Sequence, residues 1–172
     1  MQQVKQDEKV VISSQTVKEE NNNAIRVLHV DDDSAILEVS KLMLMDLNSN
    51  LEIEFANSVQ EGFKKLAQPN YDVIISDYDM PQKNGLDFLR GIKEEGFRIP
   101  FILFTGKGRE EIAIEALNMG ADGYYNKQGN PETVYGELAH GIKTAYMREQ
   151  AEKKMEQANS RYAQYLLRCR MG

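Results

Sequence analysis

The chain has 172 residues, 41% hydrophobic and 28% charged, which suits one domain with extensions rather than two full domains. A formal net charge of −6 and the lack of a long basic run argue against a general nucleic-acid-binding surface, so no direct nucleic-acid partner is expected. The one cysteine, Cys169, excludes an intrachain disulfide and fits a reducing compartment, and no stretch approaches the roughly 18 apolar residues of a membrane span, so a cytoplasmic protein with no membrane partner is expected.

Residues 1–23 are rich in Gln, Asn, Lys and Glu, interrupted by the short apolar patches Val10-Val11-Ile12 and Val17. They read as a disordered N-terminal tail without the apolar core of a signal peptide. Ile25–Val30 is then a short apolar run ending in acids. Ser34 can cap a helix carrying Ile36, Leu37, Val39, Ser40, Leu42, Met43 and Leu47. Leu51–Ala56 alternates with period two. Ser58 opens a helix with Val59, Phe63 and Leu66 inward, closed by Pro69-Asn70.

Tyr71–Ser76 is a second apolar run, and Asn84 precedes a helix carrying Leu86, Phe88, Leu89 and Ile92. Ile99–Phe104 is a third run, with Pro100 near its start, where a missing donor is tolerated. Arg109–Met119 carries Ile112, Ala113, Ala116 and Leu117 and is stopped by Gly120. Gly123–Asn126 is a fourth, aromatic run, and Pro131 suits the first turn of a last helix. Five strands alternating with five helices imply a parallel sheet with helices on both faces, a doubly wound α/β fold.

In such a sheet, ligands bind beyond the carboxyl ends of the strands. The first strand ends in Asp31-Asp32-Asp33, the third in Asp77, the fourth in Thr105 and the fifth in Lys127. Asp31, Asp32 and Asp77 therefore converge, and carboxylates that close repel unless a cation neutralises them. Hard oxygen ligands with an open side suit Mg²⁺, while a lysine and a hydroxyl facing the same point suit a phosphoryl group.

Val30-Asp31-Asp32-Asp33-Ser34, Ser76-Asp77-Tyr78-Asp79-Met80-Pro81, Asn84-Gly85, Phe104-Thr105-Gly106 and Gly120–Lys127 together resemble, in order and spacing, the receiver domain of two-component response regulators. The resemblance covers residues 24–146 and leaves 147–172 as a C-terminal helical extension. It implies a flavodoxin-like five-stranded sheet of order 2-1-3-4-5. It also implies a signalling switch in which Asp77 accepts a phosphoryl group from a histidine kinase or phosphotransfer protein, with Mg²⁺ as cofactor. By the same resemblance Asp31, Asp32, Asp77 and the backbone carbonyl of Asp79 are the metal ligands. Lys127 pairs with the acceptor carboxylate and then the phosphoryl oxygen, Thr105 moves onto the phosphoryl group, and Tyr124 is the aromatic switch. Such a domain catalyses its own phosphorylation and slow dephosphorylation.

This chain departs from the family pattern in three places. Gly106 stands where Ala or Ser is frequent. Gln128-Gly129-Asn130 separates Lys127 from Pro131, where the family usually has Lys-Pro, so a longer and looser loop is expected. Asp79 adds a carboxylate that is expected to change the lifetime of the acyl phosphate.

Other polar residues have plainer readings. Asp33 reads as a solvated helix-start residue, His29 as a packed histidine, and His140 as an ordinary position on the last helix. Gly106-Lys107-Gly108 is not a phosphate loop, because no glycine stands five residues before Gly106 and no Ser or Thr follows Lys107. An alternative enzymatic reading is a haloacid-dehalogenase-like, Mg-dependent phosphatase using Asp77, since Asp77-Tyr78-Asp79 resembles that family's DxD core. The companion acids at Asp31-Asp32 lie upstream, which weighs against it. An unphosphorylated binding module is a third reading, opposed by the intact acid set.

The last helix is expected to run to about Arg168. Val134, Leu138, Ile142 and Ala145 face the sheet, and Ala151, Met155, Ala158, Tyr162, Tyr165 and Cys169 then recur at steps of four and three. This seam reads as a homodimer coiled coil or a signalling linker, against a plain helical tail.

Overall fold

The apolar runs form five strands in the computed structural model, which describes residues 24–68, 71–106 and 110–170. They are β1 (Ile25–Val30), β2 (Leu51–Ala56), β3 (Val73–Ser76), β4 (Phe101–Thr105) and β5 (Gly123–Asn126). The helices between and after them are α1 (Ser34–Leu47), α2 (Val59–Leu66), α3 (Gly85–Glu94), α4 (Glu110–Asn118) and α5 (Pro131–Arg170). The expectations for residues 1–23, the Pro69-Asn70 stop, Lys107-Gly108 and a helix start at Arg109 lie outside the described residues.

All strand pairs are parallel and the order is β2-β1-β3-β4-β5, as expected for a flavodoxin-like sheet. Because successive side chains point to opposite faces, each central strand feeds two cores. Leu28, Ile74, Phe101 and Leu103 pack with α2, α3 and α4 through Val59, Leu66, Phe88, Leu89 and Ile112. Val27, Ile75, Ile102 and Phe104 pack with α1 and α5 through Leu44, Leu138 and Ile142. Edge strand β2 instead alternates buried and exposed residues. Its outward Glu54 meets Lys65 at 3.7 Å and accepts the Tyr71 hydroxyl at 2.6 Å, charges that suit an unpaired edge.

Several element ends differ from the sequence reading. The α1 cap is Asp33, not Ser34: its extended backbone lets the carboxylate accept from Ala35 and Ile36 N–H at 2.9 and 3.3 Å, so Ser34 becomes the first helical residue. The buried face of α1 is Leu37, Ser40 and Leu44, while Val39, Leu42 and Leu47 are exposed. Strand β3 starts at Val73 rather than Tyr71, and β4 starts at Phe101 rather than Ile99. The caps at Ser58 and Asn84 stand as read, the latter as a capping box with Asp87.

The loop from Lys127 to α5 is pinned rather than loose. Asn130 accepts from Glu132 N–H at 2.9 Å as the cap of α5, and the Gln128 side chain donates to the Gly106 carbonyl at 2.8 Å. On β5, the Tyr125 ring lies directly against Gly141 of α5, where an added Cβ would overlap it.

His29 on β1 is fully buried beside the Phe104 ring, and neither ring nitrogen has a hydrogen-bond partner. Burial, helped by the charge of Lys127, lowers its pKa to about 3. The unfolded chain binds this proton below about pH 6.5 and the folded chain does not. The histidine's contribution is therefore intact above 6.5 and erodes as pH falls from there toward 3. Acidification from pH 7.5 to 5 should cost the native chain on the order of 2 kcal/mol more than His29→Leu, measured by urea unfolding at the two pH values.

Candidate functional site

Strand order reverses between β1 and β3, and the acids sit just past the ends of these two strands. Each is held by one further rung of the ladder. Asp31 N–H donates to the Ala56 carbonyl at 3.0 Å, and Asp77 N–H donates to the Val30 carbonyl at 2.8 Å. Lys127 N–H donates to the Thr105 carbonyl at 2.9 Å, which places the lysine beside the end of β4. The sheet thus aims these side chains into one crevice at its carboxyl edge.

Asp31, Asp32 and Asp77 each present a carboxylate oxygen within 4.8 Å of the others. Asp31 and Asp77 are only 1% and 5% exposed, whereas Asp32 faces solvent. The Lys127 ammonium bridges the buried pair, 2.5 Å from Asp31 Oδ2 and 2.9 Å from Asp77 Oδ1. The other oxygen of Asp31 accepts the Asp33 N–H at 3.0 Å. Lys127 also lies 5.7 Å from the centre of the Phe104 ring, a further favourable contact for a cation.

Burial pushes the Asp31 carboxyl up, against the lowering pull of the Lys127 hydrogen bond and charge. For Lys127, burial works against the charge, but the two carboxylates outweigh it and the pKa is raised, so the ammonium persists at neutral pH. Three carboxylates then face one ammonium. The surplus negative charge and an all-oxygen donor set open to solvent through Asp32 fit a small hard divalent cation.

The remaining expected residues are placed around this centre. Thr105 ends β4, is 1% exposed, and has an interaction of its own. Asp79 follows Asp77 by two residues in the β3–α3 loop with its side chain exposed. Tyr124 pairs in register with Leu103 and packs into the α2–α4 core, its hydroxyl buried without a hydrogen-bond partner. Among the described residues, the Lys127 Cβ at 3.9 Å is the one atom within reach of a methyl added at Gly106.

Two positioning features escaped the sequence reading. The Ser76 hydroxyl donates to the Asp77 carbonyl at 2.9 Å, holding the peptide that follows the acid. Gly85, first residue of α3, donates its N–H to the Tyr78 carbonyl at 3.0 Å and lies so close to Asp77 that an added Cβ would overlap the Asp77 carbonyl oxygen. The Asn84-Gly85 pair was the available signal. Its reason, close passage of the α3 start over the acid's own backbone, is visible only in three dimensions.

Comparison with known proteins agrees with this geometry. Residues 27–139 match the family model described as the response regulator receiver domain. The transcriptional regulatory protein DltR of Streptococcus agalactiae is 28% identical over 103 residues, covering 60% of this chain and 45% of that protein. The chain thus spans about half the length of curated relatives of this kind. The chemotaxis protein CheY-3 of Vibrio cholerae is 30% identical over 119 residues, 68% of this chain and 91% of that one. A receiver domain protein from Clostridium thermocellum superposes with a TM-score of 0.66 at 31% identity, covering 74% of this chain and 98% of that one. Nothing in these matches favours the haloacid-dehalogenase alternative.

Gly85→Ala is expected to destabilise the chain by about 1–3 kcal/mol, because the methyl meets backbone that cannot move without displacing Asp77. Gly136→Ala on α5, with open space around it, should instead be neutral or stabilising by up to about 1 kcal/mol. Paired urea titrations of the two variants check both signs.

Proposed function

The chain belongs to the response regulator receiver domain family, and on that premise we propose that it is a phosphorylation-activated switch with Asp77 as phosphoryl acceptor. The observation that carries the reading is the cluster itself: Asp31, Asp32 and Asp77 within 4.8 Å of one another, with the Lys127 ammonium between the two buried acids. Asp31, Asp32, Asp77 and the Asp79 backbone carbonyl would hold Mg²⁺, which when bound offsets charge on the phosphoryl oxygens.

Asp77 supplies the nucleophile. One of its carboxylate oxygens forms the bond to phosphorus while the bond from phosphorus to the donor breaks. The electron pair of that bond leaves with the donor, an imidazole nitrogen in a histidine kinase or phosphotransfer protein. Lys127, already 2.9 Å from Asp77 Oδ1, moves its contact to a phosphoryl oxygen as the carboxylate loses its charge. Thr105, at the end of the neighbouring strand, supplies a hydroxyl for another phosphoryl oxygen. The fixed directions of these groups lower the barrier through positioning and electrostatics.

The switch follows from the same contacts. Redistribution of Lys127 and Thr105 changes what β4 and β5 present, and Tyr124, with its unpartnered hydroxyl, has a poorly satisfied inner position to exchange for another. A second copy of the chain, joined through the exposed stretch of α5, is the other partner we propose. Among the described residues, no helix is long and apolar enough to cross a membrane.

Incubation with acetyl phosphate and Mg²⁺ should add a single phosphoryl group by intact mass, and Asp77→Asn should add none. Steady turnover of phosphate esters without stoichiometric labelling would overturn the reading. Asp79→Ala should change the decay rate of the labelled protein, because an exposed carboxylate two residues from Asp77 can orient a hydrolytic water or repel a donor. Identical decay curves would remove Asp79 from the mechanism.

A further inference from the structure

Past the ends of β4 and β5, Lys127 N–H donates to the Thr105 carbonyl at 2.9 Å. One residue further along each chain, the pairing continues through a side chain. The Gln128 amide donates to the Gly106 carbonyl at 2.8 Å. The glutamine thus adds a rung beyond the sheet, on the peptide that follows Thr105. It stands where the family usually has proline, a residue with no side-chain donor.

The two segments joined by this rung are held differently. Around Gln128 the backbone is fixed on both sides. Gln128 N–H donates to Asn126 Oδ1 at 2.8 Å, and the Asn130 side chain accepts from Glu132 N–H at 2.9 Å. The Asn130 carbonyl accepts from Val134 N–H at 3.0 Å. Gly106 has no side chain with which to anchor itself, and glycine has the widest choice of backbone angles. The hydrogen bond therefore passes restraint from the fixed segment to the permissive one.

We propose that Gln128 is a positioning residue that clamps the chain leaving β4 in its resting path, and so sets how readily Thr105 moves onto the phosphoryl group. This rests on the reading of Asp77 as phosphoryl acceptor. The sheet order gives the effect its sign. Asp77 stands past β3 on one side of β4, and Gln128 stands past β5 on the other. A shift of Thr105 toward Asp77 draws the next carbonyl away from the anchored amide, so the contact belongs to the resting state. A neutral hydrogen bond of this kind favours one arrangement by about two- to tenfold. Its loss shifts the same two-state equilibrium that the phosphoryl group biases.

Gln128→Met tests the clamp, since it keeps the length and neutrality of an exposed side chain and removes the donor. Beryllium trifluoride coordinates a carboxylate oxygen as a phosphoryl mimic. Titrated with Mg²⁺ into the full chain, it should bind the variant about two- to tenfold more tightly than the native protein. Labelling by acetyl phosphate should speed up by a similar factor. In the metal-free protein, hydrogen exchange of the peptide containing Gly106 should be faster in the variant at an unchanged urea midpoint. Equal or weaker binding by the variant, in a chain whose native form is labelled on Asp77, would overturn the clamp alone. Tighter binding with unaltered exchange at Gly106 would overturn it too, because the effect would then arise elsewhere. A native chain that neither binds the mimic nor takes up label would remove the Asp77 reading and the clamp together.

Discussion

The architecture turns on one ammonium group. Asp31 and Asp77 are almost wholly buried and within reach of each other, a combination that two ionised carboxylates do not tolerate alone. Lys127 makes it tolerable by contacting both. It can do so only because β5 lies beside β4, so that the chain returns to the carboxyl edge of the sheet with β4 alone between it and the strand that ends in Asp77. The neutralisation is incomplete, since Asp32 adds a third carboxylate at the mouth. A stable resting arrangement thus retains an unmet demand for positive charge, and a charged ligand can change which partner the lysine holds.

The division of the core into two layers gives that change two possible routes. On one face, Tyr124 lies with α2, α3 and α4. On the other, the Lys127 ammonium stands over Phe104, whose ring packs edge-on against Tyr135 at 5.8 Å between centroids. Tyr135 belongs to the second turn of α5 and shares a hydrogen bond of 3.1 Å with Ser40 of α1. The start of the long helix is therefore joined to the acid cluster by packed aromatic rings as well as by the short loop between them.

Much of this was legible in the residues. Strands buried on both faces leave unbroken apolar runs, and Val73-Ile74-Ile75 and Phe101–Phe104 announce themselves that way. Polar residues at the ends of such runs point to one edge, so the acids and Lys127 could be brought together before any coordinates. What stayed hidden depended on backbone path. Whether Asp33 or Ser34 caps α1 is decided by which of them has the extended backbone, and both residue types are good caps. The outward Val39, Leu42 and Leu47 obey helical spacing as well as the buried set does, so composition alone could not choose the inner face. The extra residues after Lys127 suggested slack, but a glutamine amide reaching across to Gly106 and an asparagine capping α5 remove it.

The contact between Tyr125 and Gly141 has a mechanical consequence. At this point α5 rests on β5 with no side chain of its own in between, and the helix then extends some 40 Å to Arg170. The bare backbone can serve as a fulcrum, and the remainder as a lever arm once the Arg148–Asp122 and Arg98–Glu156 pairs release it. A pivot of 5° at Gly141, smaller than a rotamer change in the ring beneath it, would sweep the tip sideways by about 4 Å. A displacement too slight to notice beside the acids would arrive at the far end as a shift of more than two residues' rise along a helix.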